Sequence, residues 1–499
     1  MDAEGNNLYF PIILLLLSLC LLIFKNLKSP SSSPPLPPGP FSWPIIGNIF
    51  QMGNKPHITL TQFAKSYGPL FSIRLGTQLV IIGSSQESAI EILKTQDRVL
   101  SGRSPLYASP PKSTQLNHLS VGWIAECNEH WKYLRTTIRT ELFSGKAMAS
   151  QAGAREKMVI DMINFINKME GKDLRIRQVA FAAIFNMLGN ILLSKDVINF
   201  EYESVEGEIC GPLREMIEVG AASNVSDLFP ILAGLDLQGL QRKSREWFKK
   251  ICKIWEVIIN ERREKNKGDS DKVQRDFLDA LINNGSSNDQ INMLLMEMFS
   301  AGTDSSSSSI EWMMAELIRN PKYMKKVEEE IQRETNNEEN LDSHLHKFTF
   351  LQACFKETLR LHPPGPLLVP HRATESCQVM NYTIPKNSQV MVNFWAIGRD
   401  PKIWEDPLEF KPERFLNSNL DFKGNDFEYI PFSSGRRICP GLPMASKQVP
   451  LIVACLVHFF DWSLPNGQIR NAGQINMNEK YGLTLMKEQP LLLIPKSKK

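Results

Sequence analysis

No two of the eight cysteines stand in a C-x-x-C pair; they occupy positions 20, 127, 210, 252, 354, 377, 439 and 455. That spacing argues against a zinc ribbon or a disulfide framework and for a reducing compartment with mostly buried free thiols. Charge of one sign is also scarce. Lysine plus arginine is 57 and aspartate plus glutamate 54, a formal net charge of +3. This is too little for nucleic-acid binding as the main activity. No repeat of 20–50 residues recurs, which excludes a solenoid or propeller. What the chain does have is apolar bulk. Of 499 residues, 42% are hydrophobic, enough for a large core and too many for a disordered chain.

Residues 5–24 carry no charge, and 8–24 are apolar except Pro11 and Ser18. Such a run makes a helix of roughly 26 Å, enough to cross a thin bilayer. Asp2 and Glu4 precede it, and Lys25 and Lys28 follow. The positive-inside rule then keeps the rest of the chain in the cytosol. Basic residues after the run, and no small-x-small site beyond it, argue against a cleaved signal. Residues 1–28 are therefore expected to be a single-pass anchor. The sequons at Asn224, Asn284 and Asn381 would stay bare on the cytosolic side. Six prolines between Pro30 and Pro40 make 29–40 a stiff, extended hinge. Residues 41–499 show no further linker and read as one unit.

The pattern of that unit is mainly α with small β-sheets. Apolar positions recur near period 3.6 at 158–169, 241–265 and 321–335. Short strand-like runs lie at the two ends: a hairpin around Gly76, then 390–394, 481–485 and 491–494. One helix is expected to run from about Asp289 to Arg319, interrupted near Gly302 and the serines 305–309, which are poor helix formers. Gly302 would let a bulky group approach the backbone. Asp304 and its hydroxyl neighbours put polar groups into an apolar wall, where function can override propensity.

The sharpest chemistry lies at Phe432, Gly435, Arg437, Cys439 and Gly441. A lone cysteine that binds a metal as thiolate needs positive potential, backbone donors and shielding from water. Two arginines precede Cys439. Pro440 suits the first position of a helix, which would place the sulfur at a helix N-terminus. Gly435 and Gly441 permit a tight backbone beside a flat ligand, and Phe432 can cover the sulfur. This Phe-x-x-Gly-x-Arg-x-Cys-x-Gly pattern resembles the heme signature of the cytochrome P-450 family at every specified position. Glu357 and Arg360 match the family's Glu-x-x-Arg, and Arg414 supplies the third member of its core network. Trp131 and Arg135 match Trp-x-x-x-Arg. Residues 301–305 resemble the oxygen-activation segment.

The resemblance covers nearly the full length and implies the P-450 fold, with heme b as cofactor and Cys439 as its iron ligand. It places Trp131, Arg135, Arg372 and Arg437 at the propionates, for which arginine is the bidentate donor; His371 is not read as a ligand. Ala301 and Gly302 would face the heme. Thr303, Asp304 and Ser305 would serve catalysis, Asp304 and Ser305 as a proton relay. The family usually has threonine where this chain has Ser305. A thiolate opposite bound oxygen favours O–O cleavage.

Electrons must come from outside, because no Gly-rich dinucleotide fingerprint and no iron–sulfur cysteine pattern occurs. The implied donor is an NADPH–cytochrome P-450 reductase on the same endoplasmic reticulum membrane. It would dock on a basic face of Lys132, Arg135, Arg139, Arg436 and Arg437. Met298, Leu367, Leu368, Val369 and Leu483 are the expected pocket walls. Glu297 and Asp304 are candidate partners for a cationic amine. Stretches such as 379–385 and 461–465 resemble the alkaloid branch of the plant microsomal members. The implied reaction uses O2 to hydroxylate or phenol-couple a benzylisoquinoline-type alkaloid. Residues 99–103 and 369–372 look more like the coupling members. Rearrangement of a tropane-type ester, or oxidation of a terpenoid, are the alternatives.

Overall fold

The computed structural model describes residues 34–198, 210–267, 276–335, 340–465 and 475–498. The expected anchor lies outside the described residues. The described end of the proline-rich hinge is docked on the body. Ser72 donates its N–H to the Pro38 carbonyl and its hydroxyl to the Pro37 carbonyl, both at 2.7 Å. Thr383 bonds Pro35 and Pro34 in the same way.

A small sheet follows. After helix α1 (Pro56–Tyr67), β1 (Leu70–Leu75) pairs antiparallel with β2 (Gln78–Gly83) around Gly76, as expected. β2 runs parallel to β4 (Gln389–Val392), which pairs antiparallel with β3 (His371–Arg372). Side chains alternate across such a sheet. Phe71, Ile73, Val80 and Ile82 face a minor core with Leu60 of α1, while Leu70 and Ile81 face the main one. The main core reaches from Leu70 to Leu493.

Helices build the rest: α2 (Glu129–Glu141), α3 (Ile176–Leu193), α4 (Asn288–Arg319), α5 (Thr349–Leu361) and α6 (Leu442–Phe459). α3 and α6 have the length and apolarity of membrane spans, but both are mostly buried inside the fold. α4 packs against α3, α5 and α6. The expected interruption of α4 is absent; the helix is continuous. Its serines find partners without breaking it. Ser305 and Ser309 donate to the carbonyls of Ala301 and Ser305, at 2.7 and 3.0 Å. Ser308 donates to Leu485, and Ser306 accepts from Gln448 of α6. Residues 481–485 are likewise a loop, not a strand. They join two-residue strands β5 (Glu479–Lys480) and β6 (Met486–Lys487), and their polar groups bond α4 instead of a ladder.

The Glu357 network lies behind the chemical site. Arg360 donates to both Glu357 oxygens at 2.7 and 2.8 Å, and Arg414 adds a third bond at 3.2 Å. Arg360 also donates to the carbonyls of Gly398, Pro407 and Glu409. Glu357 and Arg360 are wholly buried, yet every charge is met. Removing one member leaves buried charge without its partner. Glu357→Gln should lower the unfolding free energy by about 3–5 kcal/mol, read from urea denaturation. Arg414→Lys, which touches only one carboxylate bond, should cost much less.

Candidate active site

Cys439 follows a short turn, Gly435–Arg437, and donates its N–H to the Phe432 carbonyl at 2.9 Å. The backbone N–H groups of Gly441 and Leu442 and the Arg135 guanidinium lie near its sulfur. Burial pushes the thiol above its ordinary pKa, and those groups oppose the rise. Pro440 does not open the helix. α6 starts at Leu442, with Gly441 as its N-cap and Pro443 in its first turn. The donors on the sulfur are nonetheless the free N–H groups of a helix start. Gly435 has φ +70°, and a Cβ there would meet the Leu93 carbonyl at 2.4 Å, so protein, not ligand, demands this glycine. A Cβ on Gly441 would meet only the Cys439 sulfur, at 3.8 Å, which leaves that side open to a flat group. The Phe432 ring packs on Phe422.

Around this loop lies a cluster of cations. Arg437 is buried and donates to the carbonyls of Ser101, Val121 and Ile124 at 3.0, 3.2 and 2.6 Å. Trp131 donates to the same Val121 carbonyl, and Arg135 and Arg437 both lie over its ring. Arg135 bonds the Ile438 carbonyl, and Arg372 bonds Arg103 and Asn387. Arg103 is the member that sequence reading missed. It is buried, donates to the Val369 and Pro370 carbonyls, and leaves its Nε without a partner. Burial and the charge of Arg437 push it down to about 9. His371 has Nδ1 at the Leu100 carbonyl and an unpartnered Nε2. Burial and Arg103 hold its pKa well below the usual value. Of the expected basic face, Lys132, Arg139 and Arg436 are exposed, while Arg437 turns inward. Two unpartnered buried nitrogens among these cations suit a group bearing paired carboxylates.

α4 supplies the other wall. Between Met293 and Ile310 it is largely buried, yet Glu297, Met298, Ser300, Ala301, Gly302 and Ser305 keep accessible surface. All but Ser300 fall on one side of the helix, which is thus the open side. Ser305 is on it. Asp304 is not: Arg177 of α3 and Thr484 take its two oxygens. Thr303 is buried with no partner for its hydroxyl. Glu297 is bound by Ser120, Val121 and Gly122, which ties α4 to the loop whose carbonyls hold Arg437. Neither carboxylate is therefore presented to a substrate amine. Of the expected pocket walls, Leu367 packs into the minor core beside β1 and β2 instead. Leu368 is partly buried, and Val369 and Leu483 are exposed.

The model of the family described as Cytochrome P450 matches residues 37–493. The chain belongs to the cytochrome P-450 family. It is 46% identical to (S)-N-methylcoclaurine 3'-hydroxylase isozyme 1 of Eschscholzia californica, over 93% of this chain and 94% of that one. It is 43% identical to corytuberine synthase of Coptis japonica, over 98% of each chain. Berbamunine synthase of Berberis stolonifera is 41% identical, over 96% of this chain and 98% of its own. This P-450 is therefore an oxidoreductase that uses heme b, O2 and a redox partner on a small molecule. The open side of Gly441, the exposed Ala301 face and the unpartnered nitrogens all fit that cofactor.

Arg103→Met tests the cation cluster. It should leave the unfolding of the heme-free chain nearly unchanged, because it also removes a poorly paired buried charge. Heme transfer to apomyoglobin should quicken about tenfold, the equivalent of one charge-assisted hydrogen bond.

Proposed function

We propose that this P-450 is held on the endoplasmic reticulum membrane and hydroxylates or phenol-couples a benzylisoquinoline alkaloid, with Cys439 as its iron ligand. One observation carries the ligand assignment: a partly buried lone sulfur at the start of α6, with the side next to Gly441 open. A thiolate-bound heme supplies the capacity to cleave the O–O bond. The protein supplies the setting. Arg103, Arg135, Arg372 and His371 would meet the propionates, and Arg437 with Trp131 would hold the loop that frames them. Ser305 Oγ would hold a proton on the pocket face, while Asp304, engaged by Arg177 and Thr484, would brace the helix turn beside it. The apolar walls would bind the aromatic rings.

The names of the relatives support the substrate class. Local stretches lean toward the coupling members, whereas whole-chain identity is slightly higher to the hydroxylase, so product mass must separate the two. Reduced protein should show the carbon-monoxide band of a thiolate heme, lost in Cys439→Ala. With NADPH, a reductase and N-methylcoclaurine, gain of one oxygen means hydroxylation and loss of two hydrogens means coupling. A wild-type protein without that band, or turnover without NADPH, would refute the proposal.

An anchor over 1–28 and a hinge over 29–40 belong to the same proposal, with the catalytic unit over 41–499 on the cytosolic side. Phe41, Trp43, Ile45 and Phe50 are exposed in the segment before β1, and Ile231, Leu235 and Leu237 are exposed just after Leu228. That turn bonds both segments, through the carbonyls of Ile46 and Leu228. Apolar patches of this kind suit a lipid surface. The exposed Lys132, Arg139 and Arg436 suit an acidic NADPH–cytochrome P-450 reductase. Full-length protein in microsomes should resist alkaline carbonate extraction while external protease digests the body. Release by carbonate would rule out the anchor.

A further inference from the structure

The hairpin of β5 and β6 carries a buried ionic cluster at its base that the site described above does not use. Glu479 is 8% exposed. Its Oε2 lies 3.0 Å from His57 Nε2 of α1. Its Oε1 accepts from Trp395 Nε1 at 3.3 Å and Arg399 Nη2 at 3.5 Å. His362, at the end of α5, stands 3.9 Å from the same oxygen and bonds Glu316 of α4 at 2.8 Å. The His362 ring lies flat on Trp312 of α4, 4.0 Å away. Burial alone would raise the Glu479 pKa, yet the His57 bond and the Arg399 charge hold it below the ordinary value. A charged carboxylate thus draws α1, the 395–399 turn and α5 onto one point of the hairpin.

The other end of the hairpin reaches the active site. Thr484 donates to Asp304 Oδ2 at 2.6 Å. The Leu485 carbonyl accepts from Ser308 and Trp312, and its N–H donates to Pro364. Between base and tip, Tyr481 stacks on His57 and Leu483 is exposed. Residues 481–485 have no strand ladder of their own, so their place depends on the two ends. Only four residues separate Glu479 from Thr484, whose hydroxyl is on Asp304.

We infer that Glu479 is a positioning residue: through the hairpin it sets whether Thr484 reaches Asp304 and, with it, where the exposed Leu483 stands. This rests on the heme site proposed above. The test uses the full chain with reductase in membranes, comparing wild type, Glu479→Gln, Thr484→Val and the double variant. In Glu479→Gln the carbon-monoxide band should persist. The spectral dissociation constant of 4-phenylimidazole should rise about tenfold. With N-methylcoclaurine, more NADPH should go to peroxide in both single variants, and the double variant should be no worse than the worse single, because both act through one element.

Unchanged affinity and coupling in a Glu479→Gln protein with a normal band would overturn the inference, as would fully additive effects. A merely structural Glu479 would lower the melting temperature and leave the folded fraction's affinity and coupling alone. Should Glu479→Gln lose the band, Trp395→Phe removes only the indole donor and must show the same shifts in weaker form; no shift there overturns the inference. A missing band in wild type would instead refute the Cys439 assignment, and the two failures are thereby distinct.

Discussion

A sulfur atom in a protein interior stays protonated unless something offsets the loss of water. Here two backbone N–H groups and a guanidinium face the Cys439 sulfur. None of them could be there without the rest of the fold. The N–H groups need α6 to begin at Leu442. Arg135 needs α2 to lie across the Cys439 loop. The loop in turn needs Arg437, which spends its donors on three carbonyls of residues 101–124. Behind all of this, the buried Glu357–Arg360–Arg414 network fixes the chain around residues 398–414.

The long helix α4 does two kinds of work. Its polar side chains bind the framework: Glu297 holds the 120–122 loop, Asp304 holds Arg177 and Thr484, and Ser306 and Ser308 hold α6 and the hairpin. Its small residues Ala301, Gly302 and Ser305 keep accessible surface. A bulky residue there would fill that space, whereas a small one leaves room for a flat ligand. The polar residues in an apolar helix are thus mostly structural ties, and the accessible hydroxyl of Ser305 is the exception.

The carboxylates illustrate the same economy of roles. Glu297 and Asp304 sit close to the pocket, yet their oxygens already have partners. A substrate amine would have to compete with backbone N–H groups or with Arg177. Recognition by apolar walls needs no such competition.

The sequence alone determined the chemistry and the helix-rich class. The cysteine signature, the Glu-x-x-Arg pair and Trp131 with Arg135 are local patterns whose spacing follows from one helix or one loop, and apolar periodicity reports helices directly. It could not determine which neighbours each polar group would meet. Arg103 carries no local pattern, because its importance comes from carbonyls more than 260 residues away. Leu367 has an apolar side chain suited to either a pocket or a core, and only packing against β1 and β2 chose the core. The unbroken α4 and the loop at 481–485 were decided in the same way. Serine propensity and strand propensity are worth tenths of a kcal/mol per residue, and tertiary hydrogen bonds between distant segments outweighed them.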